Sequence, residues 1–157
     1  MKKAYFAAGC FWGVEHAFRQ VPGVIETVSG YMNGKTEHPT YRDVCSGTTG
    51  HAEAVEVTYD PEAVTYEALV RKFFTLHDPT QLNRQGPDVG TQYRSGIFYG
   101  TDEEREVSES VKKELSSAYP QPIASEVTQA ATFYPAEEYH QRYFEKNPGR
   151  AACHLGT

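Results

Sequence analysis

Two apolar stripes limit what this chain can fold into. Tyr66, Leu69, Val70, Phe73 and Phe74 step by three and four residues between two stops, Asp60-Pro61 and Asp78-Pro79. Val14, Ala17, Phe18 and Val21 repeat that spacing ahead of Pro22-Gly23. Side chains three and four apart share one side of a helix, so each segment needs an apolar surface to lie on. Residues 3–8, 24–28, 53–59 and 95–99 supply it, because each is a short apolar or alternating run that reads as a strand. Thr101, with Glu104 three residues later, forms a capping box that opens a further helix through Val107, Val111 and Leu115. Residues 123–133 supply a further strand or hairpin, 135–146 a last short helix, and the tail from 147 is irregular. Few of the connections suit a purely parallel sheet. The expectation is an α+β fold: a mixed β-sheet with packed helices, a ferredoxin-like two-layer core and long functional loops.

At 157 residues the chain is expected to be a single domain over 1–157, with an irregular tail over 147–157. A chain of this size buries enough surface to fold without a disulfide or metal staple. It carries 15 basic and 21 acidic residues, a net charge of −6, with no block of Lys or Arg. Neither nucleic acid nor an anionic membrane is therefore expected as its main partner. No run approaches the roughly 18 apolar residues of a membrane span. The apolar run after Met1-Lys2-Lys3 stops at Gly9 and makes no signal peptide. The expected address is the cytoplasm. Three cysteines, Cys10, Cys45 and Cys153, contain no Cys-x-x-Cys, which argues against a disulfide scaffold and a structural zinc site. Their odd number points to intracellular thiols, one of them reactive.

Residues 29–50 and 78–94 are long, turn-rich and punctuated by Gly and Pro, and such loops are where chemistry is sought. A third site lies in Gly9-Cys10-Phe11-Trp12-Gly13, where a strand passes into a helix. Free backbone N–H groups and the helix dipole stabilise an anion there, so the Cys10 pKa is expected to fall from about 8.5 toward about 3.5–7.5. The two glycines leave room for a substrate, and Phe11 and Trp12 offer flat apolar walls. A small buried cysteine among core aromatics would read the same way.

In Gly50-His51-Ala52-Glu53, period-two counting puts Glu53 on the same strand face as Val55, Val57 and Tyr59. A carboxyl against apolar surface stays protonated and can serve as a general acid. A frayed strand start in water would leave it ordinary, and either His51 or Glu53 could partner Cys10. Tyr31 in one loop, with Asp88 and Tyr93 in the other, offers phenol donors and an acid for a small polar group attached to an apolar one.

Taken together these motifs resemble the peptide methionine sulfoxide reductase A family. The resemblance rests on Gly9-Cys10-Phe11-Trp12-Gly13, Gly30-Tyr31, Pro39-Thr40-Tyr41, the run from Val44 to Glu53, and Gly86 through Ser95. It implies reduction of the S epimer of methionine sulfoxide, free or in proteins, as oxidative-stress repair. Cys10 matches the catalytic cysteine and Glu53 the acid, which decides against His51. Tyr31 and Tyr93 match the phenols on the sulfoxide oxygen, Asp88 an acid that helps hold substrate and a water, and Phe11 and Trp12 the methyl pocket. The catalytic set implied is thus Cys10, Glu53, Tyr31, Tyr93, Asp88 and Cys153. Attack by Cys10 would leave a sulfenic acid. Cys153, in a Gly-flanked tail, is expected to resolve it as a disulfide that thioredoxin reduces, with Cys45 a packing residue. No cofactor, no metal and a monomer are expected. The rival readings are a cysteine hydrolase using Cys10 with His51 or His154, and a non-catalytic groove for Met-containing peptides.

Overall fold

The computed structural model describes residues 1–148. Its centre is formed by β1 (Lys2–Ala8), α1 (Phe11–Arg19), β2 (Val24–Met32), β3 (Ala52–Tyr59), α3 (Tyr66–Thr75) and β6 (Ser95–Tyr99). The four long strands lie in the order β6-β1-β3-β2, every neighbouring pair antiparallel. That is the βαββαβ arrangement of a ferredoxin-like layer. After α4 (Asp102–Leu115), β7 (Glu126–Gln129) joins β6 in parallel, and β8 (Tyr134–Pro135) pairs with the other edge on β2. The result is a mixed, six-stranded sheet.

The helical stripes form the core against one face. Leu69, Val70, Phe73 and Phe74 of α3 are buried, as are Val14 and Phe18 of α1. Phe6 of β1 sits between the helices, with ring centroids 4.9 Å from Phe18 and 5.7 Å from Phe73. The opposite face is built of Ala7, Ala52, Ala54, Met32 and Phe98, under Phe133 from the β7–β8 connection. Gly30 permits that cover: a Cβ there would run into the Phe133 ring and lie 2.5 Å from the Tyr134 carbonyl. Among the described residues, no helix is long and apolar enough to cross a membrane.

The two long loops contain more structure than their composition implies. β2 continues four residues past position 28, because Ser29, Gly30, Tyr31 and Met32 pair with Val55, Ala54, Glu53 and Ala52. Within 29–50 lies α2 (Tyr41–Cys45), started by a capping box between Thr40 and Asp43. Within 78–94, β4 (Arg84–Gln85) and β5 (Asp88–Val89) make a small hairpin around Gly86, followed by a 3₁₀ turn over Thr91–Tyr93.

At α4 the expected capping box is half formed. Thr101 Oγ1 accepts from the Glu104 N–H, but the Glu104 carboxylate takes the Gly100 N–H instead of returning to Thr101. The helix expected over 135–146 is broken into a 3₁₀ turn (Glu138–His140) and α5 (Tyr143–Lys146) by Arg142, at φ 51°. Tertiary bonds impose the break. The Arg142 N–H donates to buried Glu15, and the Gln141 side chain bonds both the N–H and the carbonyl of Ser29.

Candidate active site

Cys10 is the N-cap residue of α1, half-exposed, directly after Gly9 at φ 99°. Gly9 is required twice over: its φ is left-handed, and a Cβ would lie 2.8 Å from the Gln85 side chain. Gln85 in turn is tied to both the N–H and the carbonyl of Asp78, so the second loop braces the turn that carries the thiol.

Glu53 reaches the same turn from β3. It is 1% exposed, on the face that also carries Val55, Val57 and Tyr59, as the period-two count expected. Its Oε1 accepts the Phe11 N–H at 3.1 Å, while its Oε2 is buried with no hydrogen-bond partner among the described residues. Burial pushes its pKa up to about 8; the Phe11 N–H pulls it down and the charge of Asp88 pushes it further up. The carboxyl is therefore neutral at pH 7, with one oxygen free to present a proton.

The sulfur behaves differently from the sequence expectation. Instead of falling, the Cys10 pKa rises to about 12. Burial and the Glu53 charge drive it up, Asp88 adds to them, and the backbone N–H groups of Trp12 and Gly13 offset only part. Two N–H dipoles do not outweigh desolvation beside two carboxylates. A thiolate at Cys10 and an ionised Glu53 exclude each other, so the sulfur is best stabilised as an anion while Glu53 holds its proton.

Two further phenols feel the charge of Glu53, and one of them, Tyr93, that of Cys10 as well. Tyr93 is half-buried, and after burial itself the charges of Glu53, Cys45, Asp88 and Cys10 push its pKa up. Tyr41, the first residue of α2, is raised by burial, by a hydrogen bond with Cys45, and by the charges of Glu53, Cys45 and Tyr93. Asp88 on β5 acts on Cys10, Glu53 and Tyr93 through its charge. Tyr31 differs. It is fully buried as the cross-strand partner of Glu53, and its single hydroxyl proton goes to Glu137 Oε1 at 2.9 Å. That proton cannot also be given to a substrate while the bond holds. Phe11, expected as a pocket wall, is buried behind the site with its ring against Tyr31, Tyr41 and His140. Trp12 is half-exposed, stacks on Tyr143 at 3.7 Å and donates its indole N–H to His140 Nδ1 at 2.9 Å.

His51 is not available as a base. Its Nδ1 accepts the Gly34 N–H at 3.0 Å, and its Nε2–H donates to the Thr36 carbonyl at 2.7 Å. Both ring nitrogens are committed to folding the first loop, which removes the Cys10–His51 hydrolase. Cys45 is not a packing residue: it is exposed at the end of α2, a short helix of which only Val44 is fully buried. Cys153 and His154 lie outside the described residues.

Tyr41, Glu137, His140 and Arg94 also line or brace the site, and none of them stands out from the residue pattern alone. Thr40 with Asp43 was the available signal for Tyr41, since it marks a helix start inside an apparent loop. Arg94 fastens the two loops together: its guanidinium donates to the carbonyls of Gly50, Thr91 and Asn33 and to Glu126 Oε1. Among the described residues no group of three or more His, Cys, Asp or Glu is placed to hold a metal ion.

A family model described as peptide methionine sulfoxide reductase matches residues 2–157. A peptide methionine sulfoxide reductase MsrA of Geobacter sulfurreducens is 60% identical over 151 residues, 95% of this chain and 93% of the relative. The crystal structure of Mxr1 from Saccharomyces cerevisiae in reduced form superposes with a TM-score of 0.91 at 39% identity, over 98% of this chain and 90% of that one. Mxr1 in complex with Trx2 superposes with a TM-score of 0.66 at 29% identity, over 90% of this chain and 84% of that one.

Proposed function

The chain belongs to the peptide methionine sulfoxide reductase A family and reduces methionine sulfoxide to methionine, and from that premise we propose that Cys10 is the nucleophile and Glu53 the acid. The observation that carries the assignment is that Phe11, the residue after Cys10, holds Glu53 by its N–H while Glu53 Oε2 has no partner among the described residues. A sulfoxide sulfur is electrophilic, but its oxygen leaves only when protonated. Cys10 sulfur attacks the substrate sulfur as Glu53 gives its proton to the oxygen, and the S–O bond passes to Cys10. The products are methionine and Cys10 sulfenic acid, and the thiol proton of Cys10 restores the Glu53 proton.

Tyr41 and Tyr93 are the phenols that steady the oxygen in this reading: Tyr31 gives its proton to the Glu137 carboxylate, whereas the Tyr41 hydroxyl meets only the weaker sulfur acceptor of Cys45. Burial keeps Glu53 protonated, with a smaller contribution from the Asp88 charge, and Trp12, held by His140 and Tyr143, forms the wall for the methyl group. The substrate is the S epimer, free or in proteins. Cys153 condenses with the sulfenic acid, releasing water and forming a disulfide that thioredoxin reduces by exchange. The complex of the yeast relative with Trx2 supports that reductant. A single domain over 1–157, acting as a monomer in the cytoplasm without a cofactor, completes the reading.

The test is reductant-dependent turnover on each sulfoxide epimer separately, for the wild type, Cys10→Ser and Glu53→Gln. One epimer should be consumed, Cys10→Ser should be inactive, and peptide mapping of the oxidised protein should join Cys10 to Cys153. Consumption of both epimers, or an active Cys10→Ser, would overturn the assignment.

A further inference from the structure

Glu137 touches neither the nucleophile nor the acid, yet its two carboxylate oxygens bind residues on both sides of the site. Oε1 accepts the Tyr31 hydroxyl and Oε2 the Tyr41 backbone N–H, each at 2.9 Å. Tyr31 is the strand partner of Glu53, and Tyr41 opens the five-residue α2. A helix this short has little stability of its own, so its place depends on what grips its first turn. Burial works against ionisation of Glu137, but the Tyr41 N–H, its own backbone N–H and the Tyr31 phenol together hold its pKa below the usual carboxylate range. An anion at that position also complements the free N–H groups of the helix start. Three residues on, His140 packs against the Tyr41 ring with centroids 4.4 Å apart, so the same segment braces the phenol from two directions.

We propose that Glu137 is a positioning residue for the reduction: it locks Tyr41 over the sulfoxide oxygen and uses Tyr31 as the fixed anchor on the sheet. This rests on the reading of Tyr41 as a donor to that oxygen. Displacement of a reacting group by about 1 Å costs on the order of 10²-fold in rate. Glu137→Ala should therefore slow single-turnover reduction by roughly 10–100-fold, with a much smaller change in KM. Glu137→Gln should recover most of the rate. Its amide oxygen can take the Tyr41 N–H, and its NH₂ can donate to the Tyr31 oxygen.

The decisive readout is a double-mutant cycle with Tyr41→Phe. If Glu137 acts through Tyr41, Glu137→Ala adds little once the Tyr41 hydroxyl is gone, whereas a general structural defect would multiply with it. Should Glu137→Ala not fold, Glu137→Asp, too short to reach both partners, carries the same cycle. A wild-type rate in the alanine variant, or losses that multiply, would overturn the proposal. A Tyr41→Phe variant with the wild-type rate would overturn both this proposal and the reading beneath it. A slow Tyr41→Phe beside a fast Glu137→Ala would overturn only the former.

Discussion

The backbone N–H of Phe11 donates to Glu53 Oε1 across 3.1 Å, so the proposed acid is held by the residue directly after the proposed nucleophile. Forty-two positions of sequence separate the two partners. The bond turns a strand-to-helix junction and the start of β3 into one unit: whatever places the α1 N-terminus also places the Glu53 carboxyl. It leaves Glu53 Oε2 without a hydrogen-bond partner among the described residues. A buried polar atom without a partner is costly, and a substrate oxygen would relieve it.

Glu53→Gln keeps the acceptor for Phe11 but cannot deliver a proton. Its single-turnover reduction, followed as methionine formed without added reductant, is expected to fall by roughly 10²–10⁴-fold. Reaction starts from the Cys10 thiol and the neutral Glu53 carboxyl, so the wild-type rate should decline as pH rises through the Glu53 pKa of about 8. The variant should lack that alkaline limb. An identical profile in both proteins would remove Glu53 as the acid.

The same shift has a stability cost. Glu53 ionises at 4.5 in its ordinary state and at about 8 in the fold. Between those values the folded protein holds a proton that the unfolded chain has lost, so stability falls as pH rises across the window. Glu53→Gln escapes this loss and should gain on the wild type by roughly 3–5 kcal/mol at pH 8, with little gain at pH 4. Urea titrations at the two pH values check it; a gain that does not depend on pH would contradict the assignment of a neutral buried carboxyl.

Tyr41→Phe and Tyr93→Phe should each slow the chemical step more than Tyr31→Phe does. Tyr31→Phe removes the bond to Glu137 and should cost about 1 kcal/mol of stability. Single-turnover rates and thermal melts on the three variants separate the roles. Tyr31→Phe as the slowest of the three would return Tyr31 to the oxygen.

His77 sets an acid limit to stability. Its Nδ1–H donates to the Phe73 carbonyl at 2.8 Å, and its Nε2 accepts from the Ser95 hydroxyl at 2.6 Å, with Ser125 behind at 2.6 Å. Burial lowers its pKa from 6.5 to about 4, against smaller opposing effects of the Phe73 carbonyl and the Asp78 charge. Between those values the unfolded chain binds a proton that the folded protein refuses, so stability drops as pH falls from 6.5 toward 4. His77→Gln should flatten the dependence of the denaturation midpoint over that range, and an unchanged slope would contradict it.

Several features were legible in the residues because they depend on local periodicity. The stripes of α1 and α3, the face of Glu53 and the strand at Ser95–Tyr99 follow from spacings of three, four and two. Tyr31 and Tyr41 could not be told apart in that way. Both are tyrosines beside turn-rich sequence, and what separates them is a hydrogen bond to a residue 106 positions away from the first. The commitment of His51 to the Gly34 turn was equally invisible, since histidine before a strand reads alike as base or brace.

Sequence alone determined the layer of helices on a sheet, the placement of Cys10 at a helix start and of Glu53 among valines, and with them the family. Local geometry repeats along a chain, and side-chain pattern records it. Only the tertiary structure decided the protonation of the site, which phenol is tied to a carboxylate and which histidine is committed to a turn. Those depend on desolvation and on pairs of groups brought together from distant segments, and no spacing along the chain encodes them.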